Sequence, residues 1–369
     1  YGVHFFGHQP DFVMDAVRAQ LDFGYELGPQ NKLAGKAAKL VHEMTGAERV
    51  AFCNTGTEAV MVSLRLARAA SGRDKIVRFT DSYHGSSDGV LAETDGERSV
   101  PLTIGIPQAM VDNTVVLSYG SQESLEEIRR MGDDLAAVLV EPVQSRNPGL
   151  QPKEFLRELR QICTEKGIAL IFDEMITGMR LGVGGAQARY GVVPDLATFG
   201  KAIAGGGVPV SAITGRREIM SLLENKKVIH AGTYNGYPLG SAAVHATFEI
   251  LSRNNGAALR DMYERTEVLH QILIDSAETV GLPLIVQGPT GLASFHCSPK
   301  PLGPPAEYDF EVMAKDIIVA TALQRHGVLV SSISRIYPNI QLSDADLEYF
   351  DHHVPLALRE AKATIDEIY

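Results

Sequence analysis

Short apolar runs rich in β-branched residues alternate with amphipathic segments from about Gly35 onward. This alternation is typical of a mostly parallel sheet with helices on both faces, and it predicts an α/β fold. One helix is clear, because apolar residues recur at Phe155, Leu159 and Ile162 and the glycine that follows stands where a left-handed cap would end it. The runs that predict strands are 50–53, 75–79, 137–140, 169–172, 196–199 and 211–214.

A second pattern begins near Ser241, where a long helical stretch leads into a C-terminal region with apolar runs at 284–286 and 328–330. A segment rich in Pro and Gly at 298–306 predicts a loop between them. The C-terminal region therefore predicts a smaller α+β domain beside a large one. The expected division is an N-terminal segment at 1–35, a large domain at 36–250 and a small domain at 251–369. Because the chain begins at Tyr1 without an initiator Met, we expect a truncated N-terminus.

Composition and charge narrow the classes of function. The chain has 369 residues, 45% of them hydrophobic, so it is long and apolar enough to bury a sizeable core. The formal net charge is -11 and no stripe of Lys or Arg alternates with aromatics, so we expect no nucleic-acid partner. No apolar stretch is long enough to cross a bilayer and no charged-then-apolar leader begins the chain, so we expect a soluble, cytoplasmic protein without a membrane partner.

The cysteines argue against a zinc site. Cys53, Cys163 and Cys297 are far apart and lack the CxxC or nearby His spacing that zinc ligands show. We expect buried thiols in a reducing compartment, and no bound metal.

Residues that follow predicted strands are the first candidates for chemistry, because ligands of a doubly wound sheet bind beyond the carboxyl ends of its strands. After the first predicted strand, residues 54–59 form a turn of small residues that opens a helix. Free backbone N–H groups and the positive end of the helix dipole suit a phosphate there. The alternative is an ordinary helix start, which such turns usually are.

Two charged residues stand at the ends of later strands. Asp173 follows a buried apolar strand, where a carboxylate needs a partner. The partner is either a structural ion pair or cap, or the protonated nitrogen of a pyridine ring. Lys201 lies between a strand end and a glycine run, where desolvation favours a nucleophilic amine. Each alone has an ordinary structural explanation, and together they favour a cofactor site.

Six motifs occur in one order along the chain. They are Asn-Thr-Gly-Thr-Glu-Ala at 54–59, Ser-Tyr-His-Gly at 82–85, Glu-Pro-Val at 141–143, Phe-Asp-Glu-Met-Ile-Thr-Gly at 172–178, Phe-Gly-Lys at 199–201 and Ala-Gly-Thr at 231–233. The chain thereby resembles class III aminotransferases, which use pyridoxal 5′-phosphate (PLP), over nearly its whole length. The resemblance implies fold type I of the PLP-dependent transferases, like that of aspartate aminotransferase.

Within that class the chain resembles glutamate-1-semialdehyde aminomutases. It resembles still more the aminotransferase domains embedded in polyketide and nonribosomal-peptide synthases of antibiotic biosynthesis. The segments that suggest the embedded kind are 6–10, 141–146 and 184–188.

The resemblance implies roles for individual residues. Lys201 would hold PLP as a Schiff base, and Asp173 would pair with the pyridine nitrogen. Tyr83 would stack on one face of the ring, with Met175 over the other. Thr233 would reach the phosphate bound in the neighbouring subunit, which implies a homodimer with shared active sites. The full set of implied cofactor-binding residues is Thr55, Gly56, Thr57, Tyr83, His84, Glu141, Asp173, Met175, Lys201 and Thr233.

This sequence departs from the family at two positions beside the motif that contains Asp173. The family usually has a β-branched residue where Met175 stands and an aromatic residue where Met179 stands. We expect these departures to alter the pocket more than the chemistry.

The expected activity is transfer of an amino group from an amino acid donor, Glu or Gln, to a keto acceptor. The acceptor implied by the embedded domains is a β-ketoacyl thioester on an acyl carrier protein. Arg335 resembles the arginine that grips a donor carboxylate, with Glu141 as its gate; the alternative for Arg335 is a surface ion pair. Tyr1 and His8 are further candidates for the substrate pocket, although lone histidines are more often structural.

Other functions stay open. The nearest is a glutamate-1-semialdehyde 2,1-aminomutase, which needs no separate donor, and a related PLP decarboxylase is a further one. A non-catalytic assembly module with the same fold is disfavoured, because Lys201, Asp173 and the phosphate turn are all present. A nucleotide-binding dehydrogenase is disfavoured because no GxGxxG turn follows the first predicted strand.

Overall fold

A computed structural model of the chain describes residues 2–27, 31–253, 256–303, 309–330 and 334–369. Its helices are α1 (Asp11–Phe23), α2 (Lys32–Thr45), α3 (Gly56–Ser71), α4 (Gln122–Met131), α5 (Lys153–Lys166), α6 (Gly185–Tyr190), α7 (Arg217–Glu224), α8 (Pro238–Ser252), α9 (Ala257–Val280), α10 (Phe310–Arg325) and α11 (Asp344–Ile368).

The strands form one large sheet and two small ones. They are β1 (Arg49–Cys53), β2 (Lys75–Phe79), β3 (Ala92–Thr94), β4 (Ser99–Pro101), β5 (Thr114–Leu117), β6 (Leu135–Val140), β7 (Ala169–Asp173), β8 (Leu196–Phe199), β9 (Ser211–Gly215), β10 (Ile285–Gln287), β11 (Ala293–His296) and β12 (Arg335–Ile336). The seven-stranded sheet has the order β1-β9-β8-β7-β6-β2-β5. Its strands pair in parallel except at β9, which is antiparallel to both β1 and β8.

The six predicted strands are present, and helix α5 ends at Gly167 in the predicted left-handed conformation (φ 61°). The middle strands β6 and β7 are buried along their whole length, because helices cover both faces of the sheet. Strand β5, at the edge of the sheet, was not predicted; its four residues are a short apolar run beside β2.

The C-terminal region has a separate three-stranded antiparallel sheet, in the order β10-β11-β12. Only the first of its two apolar runs contributes a strand. Residues 328–330 form none, because Val328 instead closes the end of α10 with a backbone hydrogen bond to Leu323 (2.9 Å) and packs into the core. The described part of the predicted loop, 298–303, contains no helix or strand, and 304–306 lie outside the described residues.

Two of the apolar cores meet along α9. Leu259 and Met262, near its start, belong to the core of the large sheet, whereas Leu269 and Leu273 belong to the core of the C-terminal region. The N-terminal segment also packs on the large core, where Phe5 and its neighbour Phe6 are fully buried. The division expected at residues 35 and 250 stays a prediction.

Buried Arg180 ties these regions together. Its guanidinium donates to the backbone carbonyls of Gly2 (2.9 Å), Gly291 (3.1 Å) and Pro338 (2.7 Å). Three distant segments of the chain therefore converge on one side chain beside the large sheet.

The three cysteines are buried free thiols. No helix in the described ranges combines the length and apolarity that crossing a bilayer requires. The same ranges hold no group of three or more His, Cys, Asp or Glu side chains suited to a metal ion.

Candidate active site

A cavity of about 220 Å³ lies beyond the carboxyl ends of the parallel strands, where the fold was expected to bind a ligand. It brings together seven of the predicted residues: Gly56, Thr57, Tyr83, His84, Asp173, Met175 and Lys201. Three further lining residues were not predicted: Val60, Gly85 and Ser211.

Asp173 is held in one orientation at the end of β7. Its side chain is 2% exposed, and its Oδ2 lies 2.7 Å from Nδ1 of His84. Its Oδ1 accepts hydrogen bonds from the hydroxyl of Thr198 (3.2 Å) and the backbone N–H of Met175 (3.1 Å). Thr198 was missed by the sequence analysis; it is the partner of Asp173 in the β7–β8 register, a relation that only strand pairing reveals.

The second ring nitrogen of His84, Nε2, is buried and has no hydrogen-bond partner among the described residues. A polar atom in this situation is costly unless something else satisfies it. His84 therefore offers the cavity a polar contact while its other nitrogen holds Asp173.

Lys201 begins a single 3₁₀ turn directly after β8, with a left-handed backbone (φ 49°). Such a backbone is strained in a residue with a side chain, and strain of this kind is concentrated at functional sites. Burial lowers the pKa of Lys201, and the charge of Arg180 lowers it further; Asp173 and Glu141 act in the opposite direction. The amine therefore loses its proton more readily than that of a solvated lysine.

The turn before α3 is built around an N-terminal cap. The Thr55 hydroxyl accepts the backbone N–H of Glu58 (3.2 Å), and the Glu58 carboxylate accepts the N–H groups of Thr55 (3.0 Å) and Asn54 (2.8 Å). Thr55 thus serves the helix and does not line the cavity. The predicted phosphate donors, Gly56 and Thr57, follow the cap and do line it.

Around the cavity, three glycines lie so close to neighbouring side chains that a Cβ would not fit. A Cβ on Gly85, whose φ is 92°, would lie 2.6 Å from Oγ1 of Thr57. A Cβ on Gly200 or Gly56 would lie 2.5 or 2.8 Å from Sδ of Met175. The thioether therefore fills the space between two glycines on one side of the cavity, where the family usually has a β-branched residue.

Glu141 lies behind the cavity and supports Tyr83. One carboxylate oxygen accepts the backbone N–H of Ser145 (2.8 Å) and the other that of Tyr83 (3.4 Å). Burial raises the pKa of Glu141, and His84 opposes this rise. Tyr83 is 51% exposed. The predicted gate between Glu141 and Arg335 is not among the described contacts.

Arg78 fixes the loop that carries Tyr83 and His84. It is buried within β2 and donates to the backbone carbonyls of Val90 (2.8 Å) and Ala92 (2.6 Å), as well as to Ser82. Burial lowers its pKa to about 10. Arg78 lies in none of the six sequence motifs, although a charged residue inside a predicted buried strand is itself a signal.

The predicted substrate residues lie elsewhere. His8 and Arg335 line a second cavity of about 630 Å³ together with Tyr337. Arg335 stands opposite Ser294 in the β11–β12 register. Thr233 is exposed in the single chain, and its contact with a neighbouring subunit stays a prediction. Tyr1 lies outside the described residues.

Glu174, next to Asp173, holds the segment that begins α6. Its carboxylate accepts the backbone N–H groups of Ala186 (2.9 Å) and Gln187 (2.8 Å) and the hydroxyl of Thr177. Burial nevertheless raises the pKa of Glu174 to about 7, because the carboxylate is completely shielded from water.

We expect the raised pKa of Glu174 to make stability depend on pH. Between about 4.5 and about 7 the folded chain retains a proton that the unfolded chain has lost, so the free energy of unfolding falls as pH rises through this range. Chemical denaturation at a series of pH values should show a fall of about 1–3 kcal/mol. The fall should be smaller in Glu174→Gln, and an identical slope in the two proteins would contradict the assignment.

Gly85 should be required for cofactor binding. A side chain there is strained at its positive φ and collides with Thr57, so Gly85→Ala should weaken PLP binding about tenfold or more. Gly89→Ala is the matched control, since its Cβ would meet only the Met110 carbonyl at 3.7 Å. Titration of the apoprotein with PLP, followed by absorbance, measures both. Equal affinity in the two variants would be evidence against this placement of the cofactor.

The chemistry of the cavity fits PLP. A buried carboxylate can serve as the counter-charge of a ring nitrogen, a desolvated amine lies in the same cavity, and a helix start offers N–H groups to a phosphate. The unsatisfied nitrogen of His84 and the close approach at Gly85 show that the space is shaped for a polar ligand.

Solved structures share this fold. An omega-transaminase from Sphaerobacter thermophilus is 30% identical, with a TM-score of 0.91 over 98% of this chain and 86% of that one. A transaminase with PLP bound is 28% identical, with a TM-score of 0.86 over 98% and 85% of the two chains. A β-phenylalanine aminotransferase from Variovorax paradoxus is 28% identical, with a TM-score of 0.84 over 100% and 82%. The predicted fold type I is confirmed.

Several curated relatives are aminomutases. A glutamate-1-semialdehyde 2,1-aminomutase from Ignicoccus hospitalis is 44% identical over 260 residues, which are 69% of this chain and 61% of that protein. Another from Methanococcus maripaludis is 32% identical over 98% of this chain and 86% of that protein. The match to the Ignicoccus protein thus spans about three fifths of its length.

The profile of the class III aminotransferases matches residues 1–345. This match and the PLP-bound neighbour support PLP as the cofactor. The chain therefore belongs to the class III aminotransferase family.

Proposed function

We propose that this chain is a PLP-dependent enzyme that moves an amino group between carbon atoms, with Lys201 as the residue that binds the cofactor covalently and carries the proton. The observation that supports the proposal most directly is that the desolvated Lys201 amine and the buried Asp173 carboxylate line the same cavity.

When bound, PLP supplies a carbonyl carbon for amines and a ring that withdraws electrons. Asp173 would stabilise a positive charge on the ring nitrogen, because its carboxylate is fixed by His84 and Thr198 and shielded from water. Lys201 would hold the cofactor covalently through Nζ, and the same amine, when free, would take up and return a proton. Its lowered pKa suits both roles.

Other residues position the cofactor. Gly56 and Thr57 line the cavity and would donate backbone N–H groups to the phosphate, and Tyr83 would cover one face of the ring with Met175 over the other. Thr233 completes the phosphate site of a second copy in a homodimer. The exposure of Thr233 and of Tyr83 in the single chain supports this arrangement.

The substrate favoured by the curated relatives is glutamate-1-semialdehyde, which would exchange its amine and carbonyl between neighbouring carbons. Relatives with this name reach 44% identity over part of the chain and 32% over nearly all of it. Such a reaction requires no separate amino donor.

A second candidate is transfer from a donor amino acid, Glu or Gln, to a β-ketoacyl thioester on an acyl carrier protein. The likeness to a β-phenylalanine aminotransferase favours it, because that protein is named for a β-amino acid and a β-ketoacyl group would give a β-amino product. Arg335, in the second cavity, would bind the donor carboxylate.

Lys201→Ala should abolish amine transfer, with a loss of about 10³-fold or more in kcat, because the variant lacks the group that moves the proton. Lys226→Ala is the matched control, since Lys226 is another lysine with a left-handed backbone (φ 56°) but is exposed. Single-turnover conversion of the cofactor absorbance measures the effect. Full activity in Lys201→Ala would end the proposal.

Product analysis separates the two substrates. The aminomutase should convert glutamate-1-semialdehyde alone, after loading with the aminated cofactor, into the isomer with amine and carbonyl exchanged. The aminotransferase should leave that compound unchanged and instead require L-glutamate or L-glutamine together with a carrier-bound β-ketoacyl thioester. Mass spectrometry of the products distinguishes these results, and conversion in neither assay would contradict both substrates.

A further inference from the structure

The cofactor cavity contains a sulfur atom that the proposed chemistry does not use. Of the described residues that line the cavity, only Met175 carries sulfur. Its backbone N–H donates to Oδ1 of Asp173 (3.1 Å), which fixes the residue next to the buried carboxylate. Met175 is only partly buried, so a small solute that enters the cavity can reach its side chain.

The thioether is confined on several sides. A Cβ on Gly200 would lie 2.5 Å from Sδ, and a Cβ on Gly56 would lie 2.8 Å from it. Non-bonded heavy atoms pack at about 3.5–4.0 Å, so Sδ already fills the space beside both glycines. Met175 also packs against an apolar cluster that includes Cys53. An oxygen atom added to Sδ would therefore have to project into the cavity.

The thiols of the chain are poor targets for an oxidant that reaches this sulfur. A thiol reacts with peroxides as its thiolate, whereas a thioether has no proton to lose. Cys53 is buried, and burial raises its pKa to about 12. Burial also raises the pKa of Cys163 to about 12 and raises that of Cys297. At neutral pH the three thiols stay protonated, so the thioether of Met175 is the reactive sulfur of the site.

Oxidation would change both the shape and the polarity of the cavity at Met175. A lone pair of Sδ bonds to one oxygen of a hydroperoxide, and the O–O bond breaks. The departing oxygen takes the proton and leaves as water or an alcohol, so sulfur is oxidised and the peroxide is reduced. The product is a sulfoxide, a polar acceptor in place of an apolar group.

We propose that Met175 is a modification site, at which a hydroperoxide converts the thioether to the sulfoxide and thereby blocks the binding of PLP. The added oxygen would occupy the space beside the ring face that Met175 covers in the proposed function. With PLP bound, the sulfur would be shielded, so the apoprotein is the sensitive form. The inference rests on the proposed placement of PLP in this cavity, and it is independent of which amine is transferred.

The first test compares the apoprotein with the PLP-loaded protein after the same dose of hydrogen peroxide. Peptide mass spectrometry measures the sulfoxide fraction at Met175 and, as an internal reference, at Met313, which is exposed and does not line the cavity. At a free PLP concentration about ten times its dissociation constant, Met175 should be oxidised about tenfold more slowly than in the apoprotein. Met313 should be oxidised at the same rate in both.

The second test measures the affinity for PLP, by titration of oxidised apoprotein followed by absorbance. The affinity should fall about tenfold or more. Methionine sulfoxide reductases that act on both epimers should restore it.

Met175→Leu is the matched variant, because leucine has a similar volume and no sulfur. Whatever its affinity for PLP before treatment, peroxide should leave that affinity unchanged, although the exposed Met61 and Met313 are oxidised as in wild type.

Equal oxidation of Met175 with and without PLP would overturn the proposal. So would an apoprotein that carries the sulfoxide at Met175 and binds PLP with unchanged affinity, or a loss of affinity in Met175→Leu as large as that in wild type. Failure of the proposed function is recognised separately, because borohydride reduction of the untreated, PLP-loaded protein would then leave no label on Lys201.

Discussion

The site depends on one constraint: a carboxylate buried at the end of a strand must be paired. Asp173 is almost completely shielded, and His84, Thr198 and a backbone N–H hold its two oxygens in place. These partners fix where a positive charge is stabilised in the cavity. Because β7 and β8 run in parallel, the residues that follow them come to the same edge of the sheet, and this brings Lys201 to the carboxylate.

Other buried side chains support the surroundings of Asp173 and Lys201. Arg78 secures the loop that carries His84, and Glu141 supports the backbone of Tyr83. Arg180 joins the N-terminal segment and the C-terminal region to the large sheet, and its charge also lowers the pKa of Lys201. The same side chain therefore contributes to cohesion of the fold and to the reactivity of the amine.

The sequence was sufficient for features set by local pattern. Buried strands of β-branched residues and the residues at their ends were predicted, because the alternation of apolar and amphipathic segments and the glycine turns can be recognised in the sequence alone. Features set by tertiary contacts were not predicted. Thr198 reaches Asp173 only through the register of two paired strands. Arg78 binds backbone carbonyls of a loop that is distant in sequence. The apolar run at 328–330 closes the end of a helix.

The central claim is that the Lys201 amine bonds to the carbonyl carbon of a PLP molecule whose ring nitrogen faces Asp173. Borohydride reduction of the PLP-loaded protein, followed by peptide mass spectrometry, tests it most directly. We predict one modified peptide, with the reduced cofactor on Lys201. A cofactor trapped on any other lysine, or bound PLP with no covalent label at all, would contradict the account.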